Sequence, residues 1–297
     1  MPSPSTPSWA AGQVLLAAML FGTTGTAQAL GPEGSSPLLV GAGRVALGGL
    51  LLALLAAAAG RLRDGIRWRP APVLVTGAAV AAYQLCFFAG VQRAGVALGT
   101  IVTIGSAPAF TGLLGWLAGQ GRPGRVWAVA TALAVAGGVL LVGSGSGELR
   151  SDPLGVGLAL ASGIAYAGYT VAAKSLLDDG HRPLGVMGRS FGLGGVLLLP
   201  VVVVLGPPAV AGSPSILLVI GYLAVLPTLA AYVLFARALA ALPAASVATL
   251  TLAEPLVATV LGVVVLAEPV TAARAAGAAL MVAGLAVLAR RAGRVAR

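Results

Sequence analysis

The amino-acid sequence alternates ten long apolar segments with short polar connections, and this pattern limits what the chain can fold into. The hydrocarbon core of a bilayer is ~30 Å thick, and a helix of about 20 apolar residues crosses it. Only 9% of the residues are charged and the mean hydropathy is +1.00, whereas soluble domains are about a quarter charged. The sequence therefore predicts an all-α integral membrane protein. The ten spans are predicted over residues 10–30, 36–59, 72–92, 95–119, 124–143, 153–175, 183–205, 213–236, 243–266 and 270–289.

Lysine and arginine residues fall unevenly on the two sets of connections. If the N-terminus is cytoplasmic, thirteen of them lie on the cytoplasmic side: Arg61, Arg63, Arg67, Arg69, Arg122, Arg125, Lys174, Arg182, Arg237, Arg290, Arg291, Arg294 and Arg297. The outer connections hold Arg93, Arg150 and Arg274. This bias follows the positive-inside rule, so both termini are predicted to be cytoplasmic. The net charge of +10 is then a topological signal, and the chain is not predicted to bind nucleic acid.

The two halves of the sequence resemble each other at an offset of about 145 to 147 residues, which indicates an internal repeat. The segment "VGAGRVALGGLLLAL" resembles "VMGRSFGLGGVLLLP", which aligns Arg44 with Arg189. Farther along, Pro108 aligns with Pro255. Each half has five predicted spans, an odd number, so the copies must be inverted relative to each other. Two inverted five-helix (5+5) repeats are typical of transporters whose binding site lies near the midplane.

A Pro in span 4 and the "AEP" of span 9, followed by "LAEPVTAARAAGAALMVAGL", carry a resemblance to a known family. With the ten spans and the 5+5 repeat, they resemble the EamA-type members of the drug/metabolite transporter superfamily over essentially the whole chain. The resemblance implies two EamA repeats, at residues 10–143 and 153–290. A cytoplasmic N-terminal tail (1–9), an extracytoplasmic linker (144–152) and a basic cytoplasmic C-terminal tail (291–297) would flank them.

The same resemblance implies a secondary transporter in the bacterial plasma (inner) membrane that moves small metabolites, many members exporting amino acids or related compounds. Two positions depart from the pattern. Gln120 stands where the second repeat has Glu268, and Ala107 stands where it has Glu254. A mechanism that needs a carboxylate in both halves is therefore not supported.

Glu254 stands directly before Pro255 inside an apolar run. At ~1.5 Å per residue it lies near the bilayer midplane, where a charge costs roughly 2.5–3.5 kcal/mol and usually faces a cavity or a partner. Pro255 removes a backbone donor and leaves the carbonyl of Thr251 without its helical partner. Two interpretations remain open. Glu254 lines a binding site beside Thr251, or it is protonated and hydrogen-bonded to a neighbouring helix as structural glue.

Arg44 and Arg189 lie within spans 2 and 7 at mirrored depths. Either they reach the headgroups by snorkelling, or they contribute positive charge to a site for anionic or zwitterionic cargo. Small-molecule sites combine aromatic rings with a few polar groups, although ordinary helix packing is an alternative for each such residue. The remaining candidates are Tyr83, Gln84, Thr103, Ser106, Tyr166, Thr170 and Tyr232, with helix breaks at Pro108 and Pro255.

The sequence lacks motifs for other chemistry. His181 is the single histidine, in a predicted solvated turn "LLDDGHRP", and no phosphate-cradling loop is present. The chain is therefore predicted to be no enzyme and to have no cofactor and no metal site. An intramembrane lipid-modifying enzyme and a non-transporting membrane partner protein are the alternatives to transport by alternating access.

Glycine pairs predict close helix contacts, because small residues let backbones approach. The pairs are Gly95/Gly99, Gly115/Gly119 and Gly188/Gly192. They are compatible with tight packing within the chain and also with a homodimer. The predicted partners are thus a small-molecule metabolite, membrane lipid and a second copy of the chain.

Overall fold

A computed structural model describes residues 7–63, 65–143 and 152–294 of the chain. Its described part contains ten helices long and apolar enough to cross a membrane, which confirms the predicted all-α fold. Spans 1 to 10 are Pro7–Ala29, Pro37–Ala58, Pro70–Ala94, Val96–Leu117, Arg125–Gly143, Pro153–Asp178, Pro183–Gly212, Ile216–Ala241, Ala244–Val265 and Ala272–Arg294. Residues 1–6, 144–151 and 295–297, which hold most of the predicted tails and linker, lie outside the described residues.

Span 7 is longer than predicted and runs to Gly212 instead of residue 205. The prediction ended it before the "GPP" of residues 206–208. Pro207 and Pro208 fit the fixed φ of a helix and remove only the hydrogen bonds to the carbonyls of Val203 and Val204. These valines are 68% exposed, so the loss of the two hydrogen bonds does not disturb a tightly packed contact. Span 8 begins correspondingly later, at Ile216.

The contacts between spans follow the repeat. Span 2 packs along span 7 and span 5 along span 10, so each pair joins equivalent helices of the two halves. The other extensive contacts come in matched sets: spans 3 and 4 pack on span 6, as spans 8 and 9 pack on span 1. Exchanging the two halves therefore reproduces the arrangement, as expected for two inverted five-helix repeats.

The chain folds back on the preceding helix after both span 4 and span 9, but the turn after span 9 is one residue longer. Gln120 donates its N–H to the Gly115 carbonyl at 2.9 Å, and Glu268 donates to the Gly262 carbonyl at 3.1 Å. The side chains differ: Glu268 pairs with Arg274 at 2.9 Å, whereas the Gln120 amide donates to the Val171 carbonyl at 2.9 Å. The departure from the family pattern at position 120 thus gives the side chain a different partner from that of Glu268.

The connections after spans 2, 4, 6 and 8 lie together at one end, which we term the basic end. There Arg69 pairs with Asp179 between the connections after spans 2 and 6, and Lys174 reaches the Ala240 carbonyl of span 8 at 3.5 Å. At the opposite end Arg93 pairs with Asp152 at 3.3 Å. Among the residues that the structure describes, the connections to which the sequence assigned most arginines thus lie at one end of the bundle.

An aromatic stack anchors the connection after span 2 at the basic end. His181 is 3% exposed and stacks on Trp68 with 3.8 Å between ring centroids, so the prediction of a solvated turn was wrong. Arg189 lies over the same indole at 4.2 Å and donates to the Leu62 carbonyl at 2.8 Å. These contacts hold Arg189 near the end of the bundle.

Glycines let the backbones of paired spans touch. A Cβ on Gly137 of span 5 would lie 2.6 Å from the Gly277 carbonyl of span 10, and a Cβ on Gly277 would lie 2.8 Å from the Gly137 carbonyl. Of the predicted pairs, Gly188 and Gly192 pack against span 2, with Leu52 carbonyl oxygen 3.0 Å from a Cβ placed on Gly188. This glycine pair serves packing within the chain and so carries no argument for a homodimer.

Candidate functional site

Span 9 is interrupted in its middle, between the helical segments Ala244–Leu250 and Ala253–Val265. Pro255 cannot donate to the Thr251 carbonyl, and the Glu254 N–H donates to it instead, at 2.9 Å, in a tighter turn. The break at Pro255 is therefore present. The predicted free carbonyl of Thr251 was wrong, because this tighter turn satisfies it. Glu254 lies at the start of the second segment, near the middle of the span.

Pro108, the equivalent proline, does not break span 4, which stays helical from Val96 to Leu117. The predicted helix break at this position was therefore wrong. Just beyond the proline, the Thr111 hydroxyl donates to the Ala107 carbonyl of the preceding turn at 2.7 Å. Pro108 and Pro255 nevertheless line one chamber from opposite helices.

Span 8 contains a π-helical segment, Ala224–Ala230, that the sequence analysis did not predict. Pro227 has no N–H to donate to the Leu223 carbonyl. The Thr228 hydroxyl donates to that carbonyl instead, at 2.9 Å. π-helical turns widen a helix locally and often mark functional positions. Tyr232 follows in the next turn and faces the centre of the bundle.

A first chamber, a narrow space of about 20 Å³, lies between spans 2, 3, 6, 7 and 8. Its charged group is Arg44, half-buried, whose Nη2 donates to the Gln84 side-chain carbonyl at 3.2 Å. The Gln84 amide nitrogen donates to the Gly41 carbonyl at 2.7 Å. The polar and aromatic lining comprises Arg44, Tyr83, Gln84, Tyr166, Tyr169, Phe191 and Tyr232.

A second narrow chamber, of about 40 Å³, lies between spans 3, 4, 6 and 9. Glu254 and Thr251 line it from the break in span 9. Thr103 lines it from span 4, although its hydroxyl is occupied by the Ala159 carbonyl at 3.0 Å. Its walls therefore offer one carboxyl group in a mostly apolar setting.

Tyr83 and Tyr166 line both chambers and form a partition between them. Their ring centroids are 6.3 Å apart and their planes are tilted by 55°. The Tyr166 hydroxyl donates to the Thr251 hydroxyl at 3.4 Å. Arg44 lines only the first chamber and Glu254 only the second. The site thus places a cation and an anion on the two sides of a tyrosine pair.

Two aromatic residues of the first chamber were missed by the sequence analysis. Phe191 packs on Tyr232 with 4.0 Å between ring centroids, and Tyr169 lies 6.2 Å from the same ring. Tyr169 follows Tyr166 by three residues, and this spacing places both on one helix face, a signal that could have identified it. The Tyr169 hydroxyl is directed away, to the Met187 sulfur at 3.0 Å. Phe191 carries no comparable sequence signal.

Three predicted site residues are not brought to the chambers. Arg189 is held at the basic end by Leu62 and Trp68. The Ser106 hydroxyl donates to the Thr103 carbonyl within span 4, at 3.3 Å. Thr170 is fully buried, and its hydroxyl donates to the Tyr166 carbonyl at 2.8 Å.

A larger recess of about 330 Å³ opens at the basic end, between the turn after span 4 and the start of span 9. Trp127 crosses it to donate to the Ala245 carbonyl at 2.9 Å. Across the described ranges, no three His, Cys, Asp or Glu side chains come together as ligands for a metal ion.

Sequence comparison places this architecture among known proteins. The EamA-like transporter family matches the chain twice, over residues 8–143 and 153–290. The chain belongs to the EamA-like transporter family. It is also 39% identical over 275 residues to the "Uncharacterized transporter YwfM" of Bacillus subtilis (strain 168), covering 93% of this chain and 92% of that protein. A solved structure described only as "Crystal structure of protein" has a TM-score of 0.82 at 21% identity, covering 99% of this chain and 100% of that one. It supports the fold alone.

Each EamA match contributes one of the two central charges. Arg44 comes from the first matched region and Glu254 from the second. The partition is shared in the same way, with Tyr83 from the first region and Tyr166 from the second. The chambers therefore lie between the two EamA repeats.

Proposed function

We propose that the chain is a secondary transporter that exports small metabolites, amino acids or related compounds, from the cytoplasm. The observation that carries the proposal is that Arg44 lines the first chamber and Glu254 the second, on the two sides of the Tyr83–Tyr166 partition. A cargo with one carboxylate and one ammonium group would complement both charges. Charged groups this deep in a membrane protein usually serve a substrate or ion pathway.

The charge balance of the site favours zwitterionic cargo over anionic cargo. With Arg189 held at the basic end, the central charges reduce to one arginine and one glutamate. A zwitterion leaves no net charge in the chambers, whereas a purely anionic or cationic cargo leaves one unbalanced charge in a low-dielectric setting. Amino acids are the simplest metabolites that meet this condition.

Alternating access is the mechanism that the architecture favours. The central chambers lie between two pseudo-symmetric halves, and rocking of such halves exposes a midplane site to each side in turn. We place the basic end in the cytoplasm, and with it both termini, because of the positive-inside bias. The membrane is then the bacterial plasma membrane, with lipid around exposed side chains such as Leu218 and Val264.

Efflux from loaded membrane vesicles tests the proposal. Vesicles containing the chain are loaded with a panel of amino acids, monocarboxylates and amines, and loss of each compound is followed with and without an uncoupler. We expect an amino acid to leave wild-type vesicles and to stay in vesicles with Glu254→Ala. Movement of none of these compounds by the wild-type chain would contradict the proposal. Loss that continues unchanged with Glu254→Ala would contradict the assigned site.

A further inference from the structure

Both polar atoms of the Gln84 side-chain amide are hydrogen-bonded within the protein. It is 2% exposed. Its Oε1 accepts from Arg44 Nη2 at 3.2 Å, and its Nε2 donates to the Gly41 carbonyl at 2.7 Å. A guanidinium group only donates and a carbonyl only accepts, so these partners fix the orientation of the amide. Gln84 therefore lines the first chamber with its polar atoms already committed.

Gly41 makes this arrangement possible. A Cβ at position 41 would lie 2.9 Å from the Gln84 amide nitrogen and 2.7 Å from Cζ of Phe88. Real Cβ atoms almost never approach this closely, so a side chain there would displace the amide from the carbonyl. Gly41 of span 2 and Gln84 of span 3 thus act together. The hydrogen bond from Arg44 to Gln84 depends on both residues.

The other repeat shows what the arginine does without that unit. Arg189 aligns with Arg44 in the internal repeat, yet it donates to the Leu62 carbonyl and lies over Trp68 at the basic end. The alignment offset places Leu229 to Ala231 opposite Gln84, and none of these residues has a polar side chain. The position of each arginine side chain is therefore determined by the hydrogen-bond acceptors and the aromatic ring within its reach.

From these contacts we propose that Gln84 is a positioning residue, which binds no cargo and holds the Arg44 guanidinium at the wall of the first chamber. Oε1 of Gln84 occupies one N–H of the guanidinium and leaves the others for a carboxylate, which a guanidinium can bind through two parallel hydrogen bonds. This inference rests on the proposed function, because it needs a cargo carboxylate in that chamber.

A double-mutant cycle on efflux tests this role. The variants are Gln84→Leu, Arg44→Gln and the double variant, with KM and maximal rate measured for the transported amino acid. We expect Gln84→Leu to raise KM roughly tenfold and to change the maximal rate less than twofold, since a hydrogen bond to a charged group is lost. In the Arg44→Gln background the same change should alter KM less than twofold, because coupled residues are non-additive.

Gln120→Leu is the matched control. It also removes an amide-to-backbone hydrogen bond between elements, from Gln120 to the Val171 carbonyl, but it lies outside both central chambers. Its KM should equal that of the wild type. Gln84→Glu covers the case in which Gln84→Leu does not fold: it keeps the size of the side chain, and its carboxylate competes with the cargo for Arg44, so KM should again rise.

The outcomes separate the two proposals. If the wild-type chain moves none of the compounds, the proposed function fails, and the role of Gln84 fails with it. If the wild type transports an amino acid and Gln84→Leu or Gln84→Glu leaves KM unchanged, only the positioning role is overturned. An equal rise in KM in the presence and absence of Arg44 also overturns it, because Gln84 would then act independently of the arginine.

Discussion

At the scale of single residues, Tyr83 and Tyr166 separate the two charges of the site. Tyr166 contributes a ring to the partition and a hydroxyl that reaches Thr251 at 3.4 Å. Because this hydrogen bond is long and therefore weak, the ring is the main contribution of Tyr166 to the site. The partition keeps the arginine and the glutamate in separate chambers at the centre of the bundle.

Substitutions at Tyr166 separate the ring from the hydroxyl. Tyr166→Phe keeps the ring and should raise KM about two- to threefold, because one weak neutral hydrogen bond is lost. Tyr166→Ala joins the two chambers and removes an aromatic surface, so KM should rise more than tenfold. KM from vesicle efflux is the measurement. Equal effects of the two variants would mean that the ring does not separate the chambers.

Most of the central residues could be predicted from their types and depth, but their partners could not. Arg44 and Arg189 are indistinguishable in the sequence, since both lie seven or eight residues into equivalent helices. Only the folded chain brings Gln84 to Arg44 and Leu62 to Arg189. Glu254 was identifiable by itself, because a carboxylate before a proline in an apolar run is costly wherever it lies.

At the scale of elements, glycines at the crossings determine how closely the spans pair. Gly49 of span 2 faces the main chain of span 7, where an added Cβ would collide with the Phe191 carbonyl. Gly49→Ala should therefore destabilise the protein by about 1–3 kcal/mol through overpacking. The measurement is thermal unfolding in detergent, with a lower midpoint expected.

Gly157→Ala is the control for this substitution. Gly157 also lies within a span, but no atom is within 4 Å of its added Cβ. Its midpoint should stay the same or rise, since alanine favours helix. A loss of stability as large as that of Gly49→Ala would show that contact at the crossing is not the cause.

Hydropathy identified the ten spans, but the behaviour of their prolines was not readable from it. Pro108 leaves span 4 helical, Pro255 interrupts span 9, and Pro227 lies in a π-helical segment. The difference lies in what replaces the missing N–H. In span 8 it is the Thr228 hydroxyl, and in span 9 it is the Glu254 N–H. Such replacements depend on geometry that a hydropathy pattern does not contain.

At the scale of the whole molecule, the orientation of the inverted halves can be measured directly. Cys86 is the single cysteine and is first replaced by alanine. A cysteine is then introduced as Arg122→Cys at the basic end or as Ser215→Cys at the opposite end. A membrane-impermeant thiol reagent should label Ser215→Cys in intact cells, and label Arg122→Cys only after permeabilisation. The reverse labelling would contradict the cytoplasmic placement of the basic end.

Recognition of cargo by the two central charges, Arg44 and Glu254, is tested most directly by removing each charge from the protein and from the cargo in turn. Efflux is compared for an amino acid, its carboxamide and its N-acetyl derivative. The wild-type chain should prefer the amino acid to both derivatives by roughly ten- to a hundredfold, the value of a charge-assisted hydrogen bond.

Arg44→Gln should abolish the preference for the amino acid over the carboxamide, and Glu254→Gln should abolish the preference over the N-acetyl derivative. Arg189→Gln, which changes the equivalent arginine outside the chambers, should keep the wild-type pattern. Preferences that persist unchanged in both Arg44→Gln and Glu254→Gln would contradict recognition of cargo by these two charges.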